Sequence, residues 1–470
     1  MTEATLFKTQ YDRQSCEVGV VHVGYGAFHR AHQAIYFDDF VEATGDSRWG
    51  IAAVNLRRAD SASFQEAATI DDGYTLKTIA PDGTAAFRLV RPHLSYVDAT
   101  TDPIAAFDLL SQPSVTLVTI TVTESGYYFK NDWSLDLEAA PIMSGLTAGG
   151  TETIYEYLTE ALSRRAATIN QPISLLCCDN IRGNGRVLQN ALLAYLEAKG
   201  EPILAEWVRQ NVTFPCSMVD RITPRSTDEL QHEVHNHFPE HAVSPVHAES
   251  FLQWVIEDNF AAPVPDLAKV GVQIVKDVEP YEEAKIRILN GGHTGLAYLG
   301  ALAGHQTFDQ AMHDAELRAH FDRWESQEVL VGLGDKVPFD TSSYLAEIAS
   351  RFENKGIADH LSRICMDGYS KMGIYVRPTL RACLEQGIVP EAGFDCVASW
   401  VIYVRRWQSG DCDVQYHEPL MDRLAPLIEP GQETKLASDP QLWGDLPDRY
   451  EAFVPGLVAA IKRMDQKWQA

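Results

Sequence analysis

The chain has 470 residues, 45% of them hydrophobic and 22% charged, with a formal net charge of −26. That length accommodates about two or three domains with substantial cores, and the apolar fraction excludes a disordered chain. The acidic balance excludes a surface built for nucleic acid or anionic lipid, which needs clustered positive charge.

The eight cysteines are scattered with no CxxC pair. They read as the reduced, buried thiols of a cytoplasmic protein. The N-terminal MTEATLFKTQ has no apolar signal segment, and no apolar run approaches the roughly 20 residues of a membrane span.

The first element in chain order is the β-branched run Val18–Val23, a strand that ends at Gly24. A helical pattern follows over Arg30–Ala43, then a strand over Trp49–Val54. Strand, glycine turn, helix and strand make a βαβ unit in a parallel sheet. Residues 74–98 alternate on both sides of Pro81-Asp82-Gly83, which predicts an inserted antiparallel hairpin. Val115–Val122, Pro172–Cys177 and Val270–Val275 read as further strands, with helices over 152–166 and 185–199. Beyond Asp277 strand signals nearly stop, and helical patterns cover 282–304, 307–324, 343–353, 357–367 and 447–467. The fold class is therefore an α/β Rossmann-type domain with an inserted hairpin, residues 1–278, followed by a mainly helical domain, residues 279–470.

Gly24-Tyr25-Gly26-Ala27-Phe28-His29-Arg30 lies between the first strand and its helix, where a dinucleotide fold needs small residues. Gly24 suits the tight turn, and Gly26 lets a pyrophosphate approach the backbone. The third glycine of the usual fingerprint is replaced by His29, so the same segment would also suit a plain strand-to-helix turn. After the second strand, Asp60 suits the ribose hydroxyls of NAD, whereas Arg57 or Arg58 suits the 2′-phosphate of NADP. The local residues leave that choice open.

The second constellation is Lys285, Asn290 and His293. On a regular helix Lys285 and Asn290 lie about 140° apart with His293 between them, so all three can face one cleft. A desolvated lysine serves as a general base near neutral pH, and Asn and His can hydrogen-bond a developing alkoxide. The alternative is a solvated lysine on an amphipathic helix that breaks at Asn290-Gly291-Gly292. Two adjacent glycines in an apolar helix are costly unless something needs the space.

Together these segments resemble the polyol-specific long-chain dehydrogenases, the family of mannitol 2-dehydrogenase. The resemblance spans nearly the whole chain. It rests on His22–Gln33, Thr121–Tyr127 (TVTESGY), Cys178–Gly185 (CDNIRGNG), Met218–Pro224 (MVDRITP), and Pro280–Lys285 with Asn290 and His293. It implies that Lys285 is the general base, that Asn290 and Asn180 polarise the reacting oxygen, and that Asp220 and His293 position the substrate. Glu282 would lie on a proton path to Lys285. Gly24, Gly26, Phe28, His29, Arg30, Asp60, Thr123 and Glu124 would hold the cofactor, with Asp60 favouring NAD and Arg58 leaving NADP open. The implied reaction is metal-free hydride transfer between an open-chain polyol and its ketose, D-mannitol and D-fructose first. The active site would lie in an interdomain cleft of a monomer or weak homo-oligomer, with no nucleic-acid or membrane partner.

Two departures bear on the substrate. Gly292 stands where the family often has serine, and Arg377 falls in a substrate-contacting region. An arginine there could grip a carboxylate, as in reductases of fructuronate or tagaturonate, donate to a neutral polyol, or form a salt bridge remote from the site; oxidation of arabinitol or sorbitol is a further alternative within the family. Outside this class, a zinc site is the rival suggested by His232, His235, His237, His241 and His247, but HExH lacks the spacing that puts both histidines on one helix face. A nucleotide-sensing protein without catalysis would leave Lys285 with no chemical role.

Overall fold

The β-branched runs of the first half become strands because each is short, apolar and bounded by glycine, proline or polar turns. The computed structural model describes residues 4–69, 72–130, 132–147, 152–411 and 416–469. The chain divides into two compact units, one of residues up to Ala80 together with Thr84–Glu279, the other of Pro81–Gly83 together with Pro280–Ala470.

The strands of the first unit are β1 (Leu6–Lys8), β2 (Val18–Val23), β3 (Gly50–Asn55), β4 (Tyr74–Ile79), β5 (Ala85–Val90), β6 (His93–Asp98), β7 (Leu117–Ile120), β8 (Ile173–Cys177), β9 (Val212–Thr213), β10 (Ser217–Asp220), β11 (Val246–Glu249), β12 (Gln253–Glu257) and β13 (Gln273–Val275). Six of them form one sheet in the order β6-β3-β2-β7-β8-β9, with every neighbouring pair parallel. Counted within that sheet the order is 3-2-1-4-5-6, the doubly wound arrangement whose crevice opens between the first and fourth strands, here β2 and β7. Strands β3, β7 and β8 are buried along their whole length. Helices cover both faces, so these strands are continuous apolar runs rather than alternating ones. Helices Ile154–Thr168 and Asn184–Lys199 pack on one face, and Gln33–Thr44 packs with Trp254 on the other.

The inserted hairpin is shorter than its sequence pattern implies. β4 and β5 pair antiparallel around Pro81–Gly83, but the alternation over residues 85–97 spans two strands of different sheets. It breaks at Pro92, whose carbonyl accepts from the Ile51 amide at 2.8 Å, and β6 becomes the edge of the main parallel sheet. The hairpin belongs to a second sheet, β1-β5-β4-β11. The stretch Val270–Val275 likewise divides into a 3-10 turn, Leu267–Val270, and β13, which joins the three-stranded sheet β10-β12-β13. The helix expected over Arg30–Ala43 is interrupted at His32 (φ −127°, ψ −88°), which separates Ala27–Ala31 from Gln33–Thr44.

Apart from one isolated bridge, Thr307 to His360, the regular structure among the described residues of the second unit is all helical. Helix Glu391–Ser409 lies along Phe453–Gln469 and against Gly291–Leu302. They enclose a core that includes Trp324, Trp400 and Trp443, all fully buried. The 307–324 pattern is two helices, Phe308–His313 and Ala315–Arg323. They part at Asp314, whose carboxylate caps the Glu316 and Leu317 amides. The 357–367 pattern contracts to Leu361–Ile364. Among the described residues no helix is long and apolar enough to cross a membrane. Of the seven described cysteines all but Cys16 are buried, and Cys412 lies outside the described residues.

Candidate active site

A cavity of about 470 Å³ opens at the carboxyl ends of β2, β3 and β7. Gly24, Gly26, Arg30, Asn55, Arg57, Asp60, Thr121, Thr123, Ser125 and Ser244 are among its lining residues. It therefore sits at the switch point of the sheet, where a dinucleotide fold holds its ligand.

Gly24 is required there. Its φ is +98°, and a Cβ would come within 1.9 Å of the Thr121 carbonyl oxygen, so a side chain is excluded by both strain and contact. His22 braces the turn from below. Its Nε2 donates to the Gly24 carbonyl at 2.9 Å, and its Nδ1 accepts the Thr119 hydroxyl at 2.8 Å. Burial pushes the His22 pKa down to about 3, so the ring is neutral. Gly26 caps the helix Ala27–Ala31, and Arg30 donates from that helix to the Ser244 carbonyl at 2.6 Å.

Of the residues read as cofactor contacts, Gly24, Gly26, Arg30, Asp60 and Thr123 line this cavity, whereas Phe28, His29 and Glu124 do not. Phe28 stacks on His32 at 5.0 Å and packs into the core. His29 is fully buried beneath the turn, stacked on His22 at 3.2 Å, with its Nε2 bonded to His93 Nε2 at 2.9 Å. The imidazole fills the helix–strand contact that a third glycine would leave close. Glu124 is exposed. Sequence reading missed Asn55, Thr121, Ser125 and Ser244. Asn55 ends β3, where an acidic ribose contact is usual, so its place was legible. Ser244 has no local signal, because it reaches the cavity from a loop more than 200 residues after Gly24. At the mouth Arg57 pairs with Asp60 at 3.3 Å, both exposed.

Asn180 follows β8 and is exposed, while Asp220 ends β10 and is 3% exposed. Asp179, beside Asn180, accepts the Val122 and Thr123 amides at 2.9 and 3.1 Å and the Tyr127 hydroxyl at 2.7 Å. Burial outweighs these donors and lifts its pKa to about 7.

In the second unit, the segment read as one regular helix is three. Helix Glu279–Ala284 leads into a π turn over Lys285–Asn290, and Gly291–Leu302 continues it. A π turn closes hydrogen bonds five residues apart, so Lys285 and Asn290 come round to one face of the helix instead of lying about 140° apart. Lys285 is 7% exposed and Glu282 6%. Arg287 anchors the turn, donating to Thr379 Oγ1 and the Gly332 carbonyl, each at 3.2 Å. The glycines also have their reason. A Cβ on Gly292 would meet Glu325 Oε1 at 2.7 Å and Phe321 at 3.1 Å. Glu325 belongs to a second π turn, Trp324–Val329, packed against the first.

His293 stacks on Phe352 at 4.2 Å, and burial drops its pKa to about 3. The charged groups acting on it are Asp359, Arg363, Arg351 and Lys371. Arg377 is not among them. Its guanidinium donates to the Leu442 carbonyl at 3.1 Å, and its charged neighbours are Arg381 and Asp445. The histidines of the HExH stretch, His232 and His235, sit exposed on helix Asp228–His237. Among the described residues no group of three or more His, Cys, Asp or Glu is placed to hold a metal ion.

The family model for the mannitol dehydrogenase Rossmann domain matches residues 18–269, and that for the mannitol dehydrogenase C-terminal domain matches residues 277–465. This chain belongs to the mannitol dehydrogenase family. Within that family it is 35% identical over 455 residues to D-arabinitol 4-dehydrogenase of Ralstonia nicotianae, covering 96% of this chain and 97% of the relative. It is 36% identical over 379 residues to polyol:NADP oxidoreductase of Gluconobacter oxydans, covering 80% and 78%. The structure of Pseudomonas fluorescens mannitol 2-dehydrogenase, a ternary complex with NAD and D-mannitol, is similar with a TM-score of 0.85 and 29% identity, covering 99% of this chain and 94% of that one.

Proposed function

We propose that this member of the mannitol dehydrogenase family is an NAD-dependent polyol dehydrogenase that interconverts an open-chain polyol and its ketose, with Lys285 as general base. The observation that carries the reading is Lys285, 7% exposed at the start of a π turn that ends at Asn290 and so brings both residues to one side of the helix. A cation is seldom withdrawn from water without a function, and desolvation favours the neutral amine a base needs.

The cavity fits a dinucleotide. Gly24 leaves backbone where a Cβ would collide, Arg30 offers a buried cation, and Asp60 stands at the mouth beyond β3. When bound there, NAD supplies the acceptor for the hydride that leaves the alcohol carbon. Lys285 Nζ takes the hydroxyl proton in oxidation and returns it in ketose reduction. Asn180 and Asn290 hydrogen-bond the reacting oxygen, Asp220 and the neutral His293 position the chain of hydroxyls, and Glu282 passes the proton onward from Lys285.

D-mannitol and D-fructose are the first pair. D-arabinitol is the second reading, supported by the identity to D-arabinitol 4-dehydrogenase along 96% of the chain. The test is initial rates with NAD and D-mannitol, D-arabinitol or D-sorbitol, and with NADH or NADPH and D-fructose or fructuronate. Turnover of fructuronate alone would move the assignment to a hexuronate reductase, and turnover of none would remove it. Lys285→Ala should lower kcat by about 10²–10⁴-fold while NADH affinity, followed by fluorescence titration, is unchanged. Retained turnover in that variant would take the general base away from Lys285.

A further inference from the structure

We propose that Asp179 is a positioning residue that locks the strained turn at Thr123 on the cavity wall and ties that wall to Asn180. The inference rests on the reading of the cavity as the cofactor site.

Thr123 has φ 67° and ψ 158°, a region that is essentially glycine's alone. A threonine stays there only if its surroundings over-determine it, and the strain marks the place where function has shaped the backbone. Asp179 supplies that constraint. Its Oδ1 accepts the Thr123 amide and its Oδ2 the Val122 amide, so one carboxylate grips both peptides of the turn. Val122 and Thr123 line the cavity and Asp179 does not, so its influence passes through them. Its main chain is held as firmly. The Asp179 carbonyl accepts the Ile181 amide at 2.8 Å and Asn184 Nδ2 at 3.1 Å. Asn184 Oδ1 in turn takes the Ser217 amide at 2.9 Å. Asn180, the next residue, is thereby registered against the same turn.

Only the carboxylate can accept both amides in full, since a carboxylic acid keeps one oxygen as a donor. Tyr127 donates to Oδ2 and favours the anion, while Glu124 and the Cys177 and Cys178 thiols are the other titratable groups near it. Burial nevertheless brings Asp179 to about 7, so the grip loosens close to neutral pH.

The test is NADH affinity and kcat of the full-length protein carrying Asp179→Asn, alone and with Thr123→Gly. Asp179→Asn turns an acceptor into an amide donor aimed at backbone N–H. It should weaken NADH binding and lower kcat, each by about tenfold or more. Glycine takes the Thr123 conformation without strain, so Thr123→Gly should restore most of both losses. An Asp179→Asn protein equal to wild type, or a double variant with no recovery, would overturn the proposal. If Asp179→Asn does not fold, Tyr127→Phe carries the test. Loss of its donor should raise the pH at which NADH affinity falls by about one unit, and an unmoved profile would overturn the proposal equally. Failure of the wild-type chain to bind NADH would count against the cofactor reading, separately from these outcomes.

Discussion

On the proposed reading, two residues decide how the cavity meets a nucleotide. Gly24 admits the backbone because nothing larger fits against Thr121. Asp60 holds Arg57 by an exposed ion pair at 3.3 Å, which is worth little to stability but, on the proposed reading, would set which cofactor the mouth favours. A ribose 2′-hydroxyl finds an acceptor in Asp60, whereas a 2′-phosphate would meet its charge before reaching Arg57. Asp60→Ala should therefore shift the ratio of kcat/KM for NADP over NAD upward by about tenfold, and adding Arg57→Ala should reverse the shift. Steady-state rates with both cofactors check it. These two residues were legible in the sequence as opposed candidates. That they pair was not, because an ion pair depends on the 3-10 turn Arg58–Asp60 that sets their spacing. His29 went the other way. Its position in the fingerprint marks it as a cofactor contact, yet the side chain turns under the loop to stack on His22.

At the scale of elements the π turn is the decisive departure from a regular helix. Periodicity at 3.6 residues spreads Lys285, Asn290 and His293 across an arc, while the π turn aligns the first two. Two more π turns, Trp324–Val329 and Met372–Val376, pack against it. Glycine is needed at 292 because Glu325 and Phe321 crowd in from that neighbour. Deleting Ile286, a half-buried residue of the turn, should let the segment close as a regular helix. Lys285 and Asn290 would then lie four residues apart on a regular helix, about 40° apart and still on one face, with His293 following Asn290 unchanged. Circular dichroism should keep its helical signal and turnover should be retained in part. Complete loss of turnover would show that the π turn does more than align Lys285 with Asn290. No composition signal marks a π turn, since its cost is repaid by packing from elements distant in sequence.

For the whole molecule, charge and topology have separate roles. The net charge of −26 repels itself in the folded state, and salt screens that repulsion over a Debye length of about 10 Å at 0.1 M. The melting temperature should therefore rise by a few degrees between low and moderate sodium chloride. A flat or falling trend would mean that the surface ion pairs outweigh the self-repulsion.

Local sequence by itself determined the βαβ start, the glycine turn, the helical second half and the residue types of the candidate chemistry. Those follow from short-range propensity, periodicity and the steric needs of single residues. Tertiary structure alone decided that 93–98 edges the parallel sheet rather than the hairpin, that Ser244 reaches the cavity, that Asp179 grips a strained threonine, and that Arg377 is tied to a carbonyl. Each of these rests on partners tens to hundreds of residues away, and a local pattern carries no information about which distant group will arrive beside it.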